Sequence, residues 1–172
     1  MLFDSVFKLI FMKLLQHFVA VLVVVVLTAC SATTKTINQA EKTLKGIWSL
    51  DNITYSRSGI FEVTLFDDAS AECLTGSVWT FIPNNNTGSY GVNQESCIAS
   101  GDRRFRFTIP EPDAAGNFSF LFKPIDAKKK STNGNKGYRV ALPLLDQNNM
   151  TWTQTISLEG EPFVITMNFN KL

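Results

Sequence analysis

The feature that most limits what this chain can fold into is a period of two. In Arg104–Ile109, Phe105, Phe107 and Ile109 fall on one face while Arg104, Arg106 and Thr108 fall on the other. Successive side chains of a strand point to opposite sides, so a run of this kind buries a single face only as β-structure. The pattern recurs. Phe118, Phe120 and Phe122 alternate with Ser119 and Leu121, and Met150, Trp152, Ile156 and Leu158 oppose Thr151, Thr153, Thr155 and Ser157. Phe163, Ile165, Met167 and Phe169 oppose Thr166, Asn168 and Asn170. With Gly46–Tyr55, Phe61–Phe66, Ser77–Ile82, Gly88–Val92 and Gly137–Leu145, nine candidate strands are expected.

Turn signals separate them at Asn84–Gly88, Pro112–Gly116, Asn133-Gly134, Gln147–Asn149 and Glu159-Gly160. Every connection is local, with no helical pattern long enough for a parallel crossover. One short helix is expected over Asn38–Leu44, with Asn38 as N-cap, Glu41 as its capping-box partner and Gly46 as the stop. An antiparallel meander of eight or nine strands with one apolar face loses its edges by closing, so the expected fold is an all-β barrel.

Ahead of this domain, the apolar run Phe18–Leu27 follows Lys13 and ends in small residues, the layout of a secretory signal. A membrane span from about Leu9 to Ala29 is the alternative, but Lys13, Gln16 and His17 interrupt a window that needs ~18 apolar residues. Leu27-Thr28-Ala29-Cys30 resembles the lipobox of bacterial lipoproteins. The resemblance implies diacylation of the Cys30 thiol and removal of residues 1–29, with translation starting at Met1 or, with a cleaner Met-Lys n-region, at Met12. Residues 30–36 then form a tether and residues 37–172 the barrel domain. Two or three acyl chains, at ~0.8 kcal/mol per buried CH₂, anchor it to a membrane. Ser31 is not the Asp that retains many lipoproteins at the inner membrane, and no acidic run follows Cys30. The expected address is therefore the outer membrane, facing the periplasm.

The mature segment Cys30–Leu172 has fourteen basic and fourteen acidic side chains and is neutral. No stretch reads as the clustered basic face of a nucleic-acid binder. Its length fits one domain, expected as a monomer. His17, the sole histidine, lies inside the signal, which excludes Ser-His-Asp and Cys-His hydrolases and histidine-containing zinc sites. No cofactor fingerprint occurs. With Cys30 lipidated, Cys73 and Cys97 remain as an even pair in an oxidising setting, expected as a disulfide rather than as free thiols.

A short helix followed by Gly46-Ile47-Trp48 opening the first strand resembles the lipocalins, and more closely the lipocalin-like lipoproteins of Bacteroidota. Cys73-Leu74-Thr75-Gly76-Ser77-Val78-Trp79-Thr80-Phe81, Thr87–Tyr90, Cys97 and the Glu159-Gly160 turn extend the likeness over nearly the whole mature chain. The resemblance implies a lipocalin-like (calycin-type) barrel with Trp48 plugging its closed end, and Lys171 is the cation placed by position to stack on it.

On that fold Trp79, Phe81, Phe105, Phe107, Phe118, Phe120, Phe122 and Trp152 face inward. They either line a cavity for an apolar or amphipathic ligand or fill the barrel themselves, since eight strands leave little room. Gln154, also at an inward position, either orients a ligand head group or bonds to backbone at a bulge. Lys128–Lys130 read as a solvated hairpin loop or as a phosphate contact, and Asp67, Asp68 and Glu72 as acidic turn residues or a weak Ca²⁺ site. Glu159 and Glu161 flank a turn with no sign of a glycosidase cleft. Two functions follow: a non-enzymatic binder of a small apolar or amphipathic ligand, or an accessory lipoprotein whose filled barrel presents loops to a protein partner.

Overall fold

The computed structural model describes residues 12–14, 16–17, 36–92, 97 and 101–172. The chain divides into two compact units, Met1–Asn38 and Gln39–Leu172. Of the first, residues 12–14, 16–17 and 36–38 are helical. The apolar run Phe18–Leu27, expected as a signal, and Cys30 lie outside the described residues. Among the described residues no helix is long and apolar enough to cross a membrane.

The larger unit is a closed barrel of eight strands. A helix, α1, runs over 36–44. Then come β1 (Gly46–Tyr55), β2 (Thr64–Leu65), β3 (Ala69–Ser70), α2 (Ala71–Leu74), β4 (Val78–Ile82), β5 (Thr87–Val92), β6 (Gly101–Thr108), β7 (Ser119–Ile125), β8 (Tyr138–Leu145), β9 (Asn149–Leu158) and β10 (Glu161–Lys171). The barrel order is β1-β10-β9-β8-β7-β6-β5-β4, closing where β1 meets β4. Every pairing is antiparallel between neighbours, and β1 joins both the last strand and β4. This is the all-β, closed antiparallel barrel that the alternation called for.

Two expectations change. The segment Phe61–Phe66 is not a ninth barrel strand. Only Thr64–Leu65 are extended, pairing with Ala69–Ser70 in a separate two-stranded sheet inside the long β1–β4 connection. Apolar alternation there serves to cover the barrel rather than to join its wall. The helix is already formed at Thr36, so Asn38 lies within it and caps nothing, and Thr36 and Ile37 are helix rather than tether or loop.

The wall follows its sequence closely. In β6, Phe105 and Phe107 are buried while Arg104, Arg106 and Thr108 are exposed, and Phe163, Ile165, Met167 and Phe169 line the inner face of β10. Register slips at two places. In β1 the slip falls between Leu50 and Asn52, and between β8 and β9 it spans the stretch containing Pro143, a residue without a backbone donor. Gly88 is required for a different reason: a Cβ there would come 2.3 Å from Phe105 Cζ and 2.5 Å from the Thr80 carbonyl oxygen. The absent side chain is the space in which the Phe105 ring lies.

Candidate functional site

One end of the barrel is shut by the Gly-x-Trp element. Trp48 is fully buried, its Nε1 donating to the Leu44 carbonyl at 2.8 Å. Lys171, from the end of β10, lies 4.9 Å from the centroid of the Trp48 ring and donates through Nζ to the Thr43 carbonyl at 2.7 Å. Gly46 has φ +126°, and a Cβ there would sit 3.2 Å from Lys171 Cε. Glycine therefore serves both the backbone turn into β1 and the approach of the cation.

The interior between the two ends is a stack of rings. Trp79, Phe81, Phe105, Phe107, Phe120 and Trp152, the residues expected to face a ligand, are brought together and are all buried. They touch one another: Phe120 stacks on Trp152 at 4.7 Å between centroids, Trp152 meets Trp79 edge-on at 5.2 Å, and Phe107 stacks on Phe120 at 5.2 Å. Such offset and edge-to-face contacts add stability beyond area burial. Phe118 lies just ahead of β7, half-buried against the core. Gln154, opposite Ile165 at an inward register position, is half-exposed rather than locked among the rings. One polar atom in this interior is not satisfied. Trp152 Nε1 is buried and has no hydrogen-bond partner among the described residues. An orphaned donor of this kind costs ~1–3 kcal/mol.

The other end is covered by the β1–β4 connection. Phe66 reaches in from it to meet Phe122 at 4.8 Å, Tyr138 at 5.6 Å and Trp79 at 6.3 Å, all edge-on. Among the described rings touching Trp79 or Phe122, Phe66 alone comes from a loop rather than a strand. Its backbone has φ 58° and that of Asp67 φ 51°, left-handed values that L side chains adopt only under constraint. The constraint is visible. Asp68 accepts from Tyr90 Oη at 2.8 Å and from Arg103 Nε at 2.8 Å, while Asp67 accepts from Lys136 Nζ and from Tyr138 Oη at 3.2 Å. A disulfide between Cys73, in α2, and Cys97 ties the same connection to the one between β5 and β6.

These contacts set the protonation of the latch. The hydrogen bond from Lys136 holds the Asp67 carboxyl below the usual carboxylate range, and the same bond raises Lys136. Burial first, then the Asp68 carboxylate, pushes the Tyr90 hydroxyl far above the usual tyrosine range. Burial, followed by the Asp67 charge, also raises Tyr138. Asp67 and Asp68 thus serve as hydrogen-bond acceptors in a closure. Among the described residues no group of three acidic, histidine or cysteine side chains converges as a metal site.

Sequence reasoning missed Phe66, Asp68, Tyr90, Arg103, Lys136 and Tyr138 as one assembly. The available signal was an aromatic followed by two aspartates in the longest connection, with tyrosines at inward positions of β5 and β8. A second feature was hidden by neutral composition. Between Gly101 and Leu145 the chain carries nine basic and four acidic side chains, a local net charge of +5.

Comparison with models of known protein families and with curated proteins finds no match. Among solved structures, the chain is similar to bovine odorant binding protein in complex with a selenium-containing odorant, with a TM-score of 0.40, 13% identity and coverage of 77% of this chain and 72% of that one. Bovine odorant binding protein complexed with its natural ligand gives a TM-score of 0.39 at 13% identity, covering 76% and 72%.

Proposed function

We propose that this chain is an acyl-anchored lipocalin-like lipoprotein of the Bacteroidota type. It is held through Cys30 at the outer membrane, facing the periplasm, and binds a small apolar or amphipathic ligand in its barrel without catalysing a reaction. The observation that carries ligand binding is Trp152 Nε1, an orphaned donor at the heart of an aromatic interior. A ligand oxygen placed there would satisfy it. Room would come from Phe66, whose ring enters from a connection rather than from the wall. Native mass spectrometry of the gently extracted lipoprotein tests this. A co-purifying mass is expected, and it should be lost from Trp152→Phe, which keeps a ring but removes the donor. A protein of bare mass that also takes up no added apolar probe refutes the reading.

Anchoring is supported by the lipobox-like Leu27–Cys30 alone. Radiolabelled palmitate should enter the native chain and not Cys30→Ala. Label retained by that variant would sink the assignment.

The close contacts among Trp79, Phe120 and Trp152 favour one second reading, a filled barrel that serves a protein partner through its loops. Native mass spectrometry separates the two, because an accessory protein carries no small-molecule mass.

A further inference from the structure

On the outer wall of the barrel, β6, β7 and β8 present a cluster of cations. Arg104 and Arg106 point outward from β6, alternating with the buried Phe105 and Phe107. Arg106 is paired in register with Lys123 of β7, and Leu121 is paired with Arg139 of β8. Like charges directly opposite across two strands destabilise a sheet unless something neutralises them. Among the described residues no carboxylate pairs with them, although Glu111 and Asp113 line a neighbouring groove with Arg139. The salt bridges among the described residues join Arg57 to Glu159, Arg103 to Asp68 and Lys136 to Asp67, and none involves these four cations. Their polar contacts are with neutral groups: Arg139 donates to Ser119 Oγ at 2.7 Å and Lys123 lies 3.5 Å from Asn135 Oδ1.

Three of these cations, Arg106, Lys123 and Arg139, rim an open groove of about 440 Å³ on this wall, lined also by Thr108 and Leu121 among others. Leu121 supplies an apolar floor beneath a charged rim. The β7–β8 hairpin adds Lys128, Lys129 and Lys130, all exposed. A soluble ligand is normally enclosed over most of its surface. This groove is shallow and open, and its cations spread along a wall, which suits a surface of anionic groups with apolar matter between them.

We propose that the β6–β8 wall is a docking face for the anionic phosphate headgroups of a membrane. It holds the barrel against the bilayer, so that position on the membrane is set by charge as well as by the acyl anchor. The inference deepens the membrane-anchored reading by naming the face presented to lipid. Each cation near an anionic surface contributes about fivefold to the association.

The test uses the full lipidated protein in vesicles, with lysine acetylation read by mass spectrometry. In phosphatidylcholine containing one part in about three of phosphatidylglycerol, Lys123 and Lys128–Lys130 should label about fivefold more slowly than in pure phosphatidylcholine. Lys42 and Lys45 should label alike in both. The protection should vanish in an Arg104→Gln, Arg106→Gln, Arg139→Gln variant, whose outward-facing changes leave the core intact. It should vanish in the native protein as the Debye length shrinks from about 10 to 3 Å between 0.1 and 1 M salt. Equal labelling in the two vesicle types overturns the proposal, as does protection that survives the triple substitution. Equal protection of Lys123 by inorganic phosphate in neutral vesicles would assign the wall to a free anion and overturn the membrane as its occupant. Flotation with neutral vesicles reports the acyl anchor and labelling in anionic ones reports the wall, so the two readings fail separately.

Discussion

At Phe66 a buried ring sits on a backbone with φ 58°, so ring and backbone contribute to stability with opposite sign. Removing the ring forfeits its contacts with Phe122, Tyr138 and Trp79. Truncations of buried phenylalanines to alanine cost ~3–5 kcal/mol. Alanine keeps a Cβ and with it the left-handed penalty of ~1–2 kcal/mol, which glycine does not carry. Phe66→Gly should therefore lose ~2–4 kcal/mol and be the more stable variant, although glycine is ordinarily the worse residue by ~0.5–1 kcal/mol. A difference of ~1 kcal/mol separates melting temperatures by roughly 2–8 °C in domains of this size range. Thermal melts at pH 7 read the order, and fluorescence of added N-phenyl-1-naphthylamine reads whether the mouth has opened. Both variants should take up the probe more strongly than the native chain. Alanine proving more stable than glycine would refute the strained plug. Variants within ~0.5 kcal/mol of the native protein would show that the ring seals nothing.

Gly88→Ala should cost ~1–3 kcal/mol, because the Thr80 carbonyl oxygen is backbone and cannot swing aside, while Gly137→Ala, whose Cβ meets only the Phe122 oxygen at 3.5 Å, serves as a near-neutral control in the same melts. The latch should hold over a window of pH. The Asp67 carboxyl is lowered, so its contribution is present above about pH 4 and is lost as pH falls through its folded value. Tyr138 and Lys136 are raised, so theirs are present below about pH 10 and are lost above it. Probe uptake should be lowest between these limits, and a flat profile from pH 3 to 11 would contradict the latch. The Cys73–Cys97 bridge should appear as a loss of two hydrogens in non-reducing mass spectrometry, and its reduction should lower stability by ~2–4 kcal/mol in denaturant melts.

The barrel wall was legible because its signal is local. Phe105 and Phe107 against Arg104 and Arg106 need no partner to declare a half-buried strand. Phe61–Phe66 misled by the same rule, since alternation also arises in a connection that lays one side on the core, and only the closure of β1 on β4 denies it a place in the wall. Asn38 misled because the helix begins earlier and local capping chemistry does not bind the chain to start there. The inner rings were identified as a set, but whether they line or fill a space depends on side-chain packing across eight strands. The closure around Asp67 and Asp68 joins residues up to 71 positions apart, and such pairings leave no periodic trace. The basic wall was invisible for a simpler reason: net charge averages over faces.

The barrel also imposes an order of events on its own synthesis. Most of its ladders are hairpins between neighbours and can zip as soon as both strands exist. The seam cannot. β1 waits for β10, and the Lys171 ammonium that locks the Trp48 end bonds a carbonyl 128 residues upstream. Closing so long a loop is entropically costly until many contacts form together. A chain wired in this way stays unsealed until its final strand has been made, and through that interval it can be drawn as an extended thread through a channel too narrow for the finished barrel.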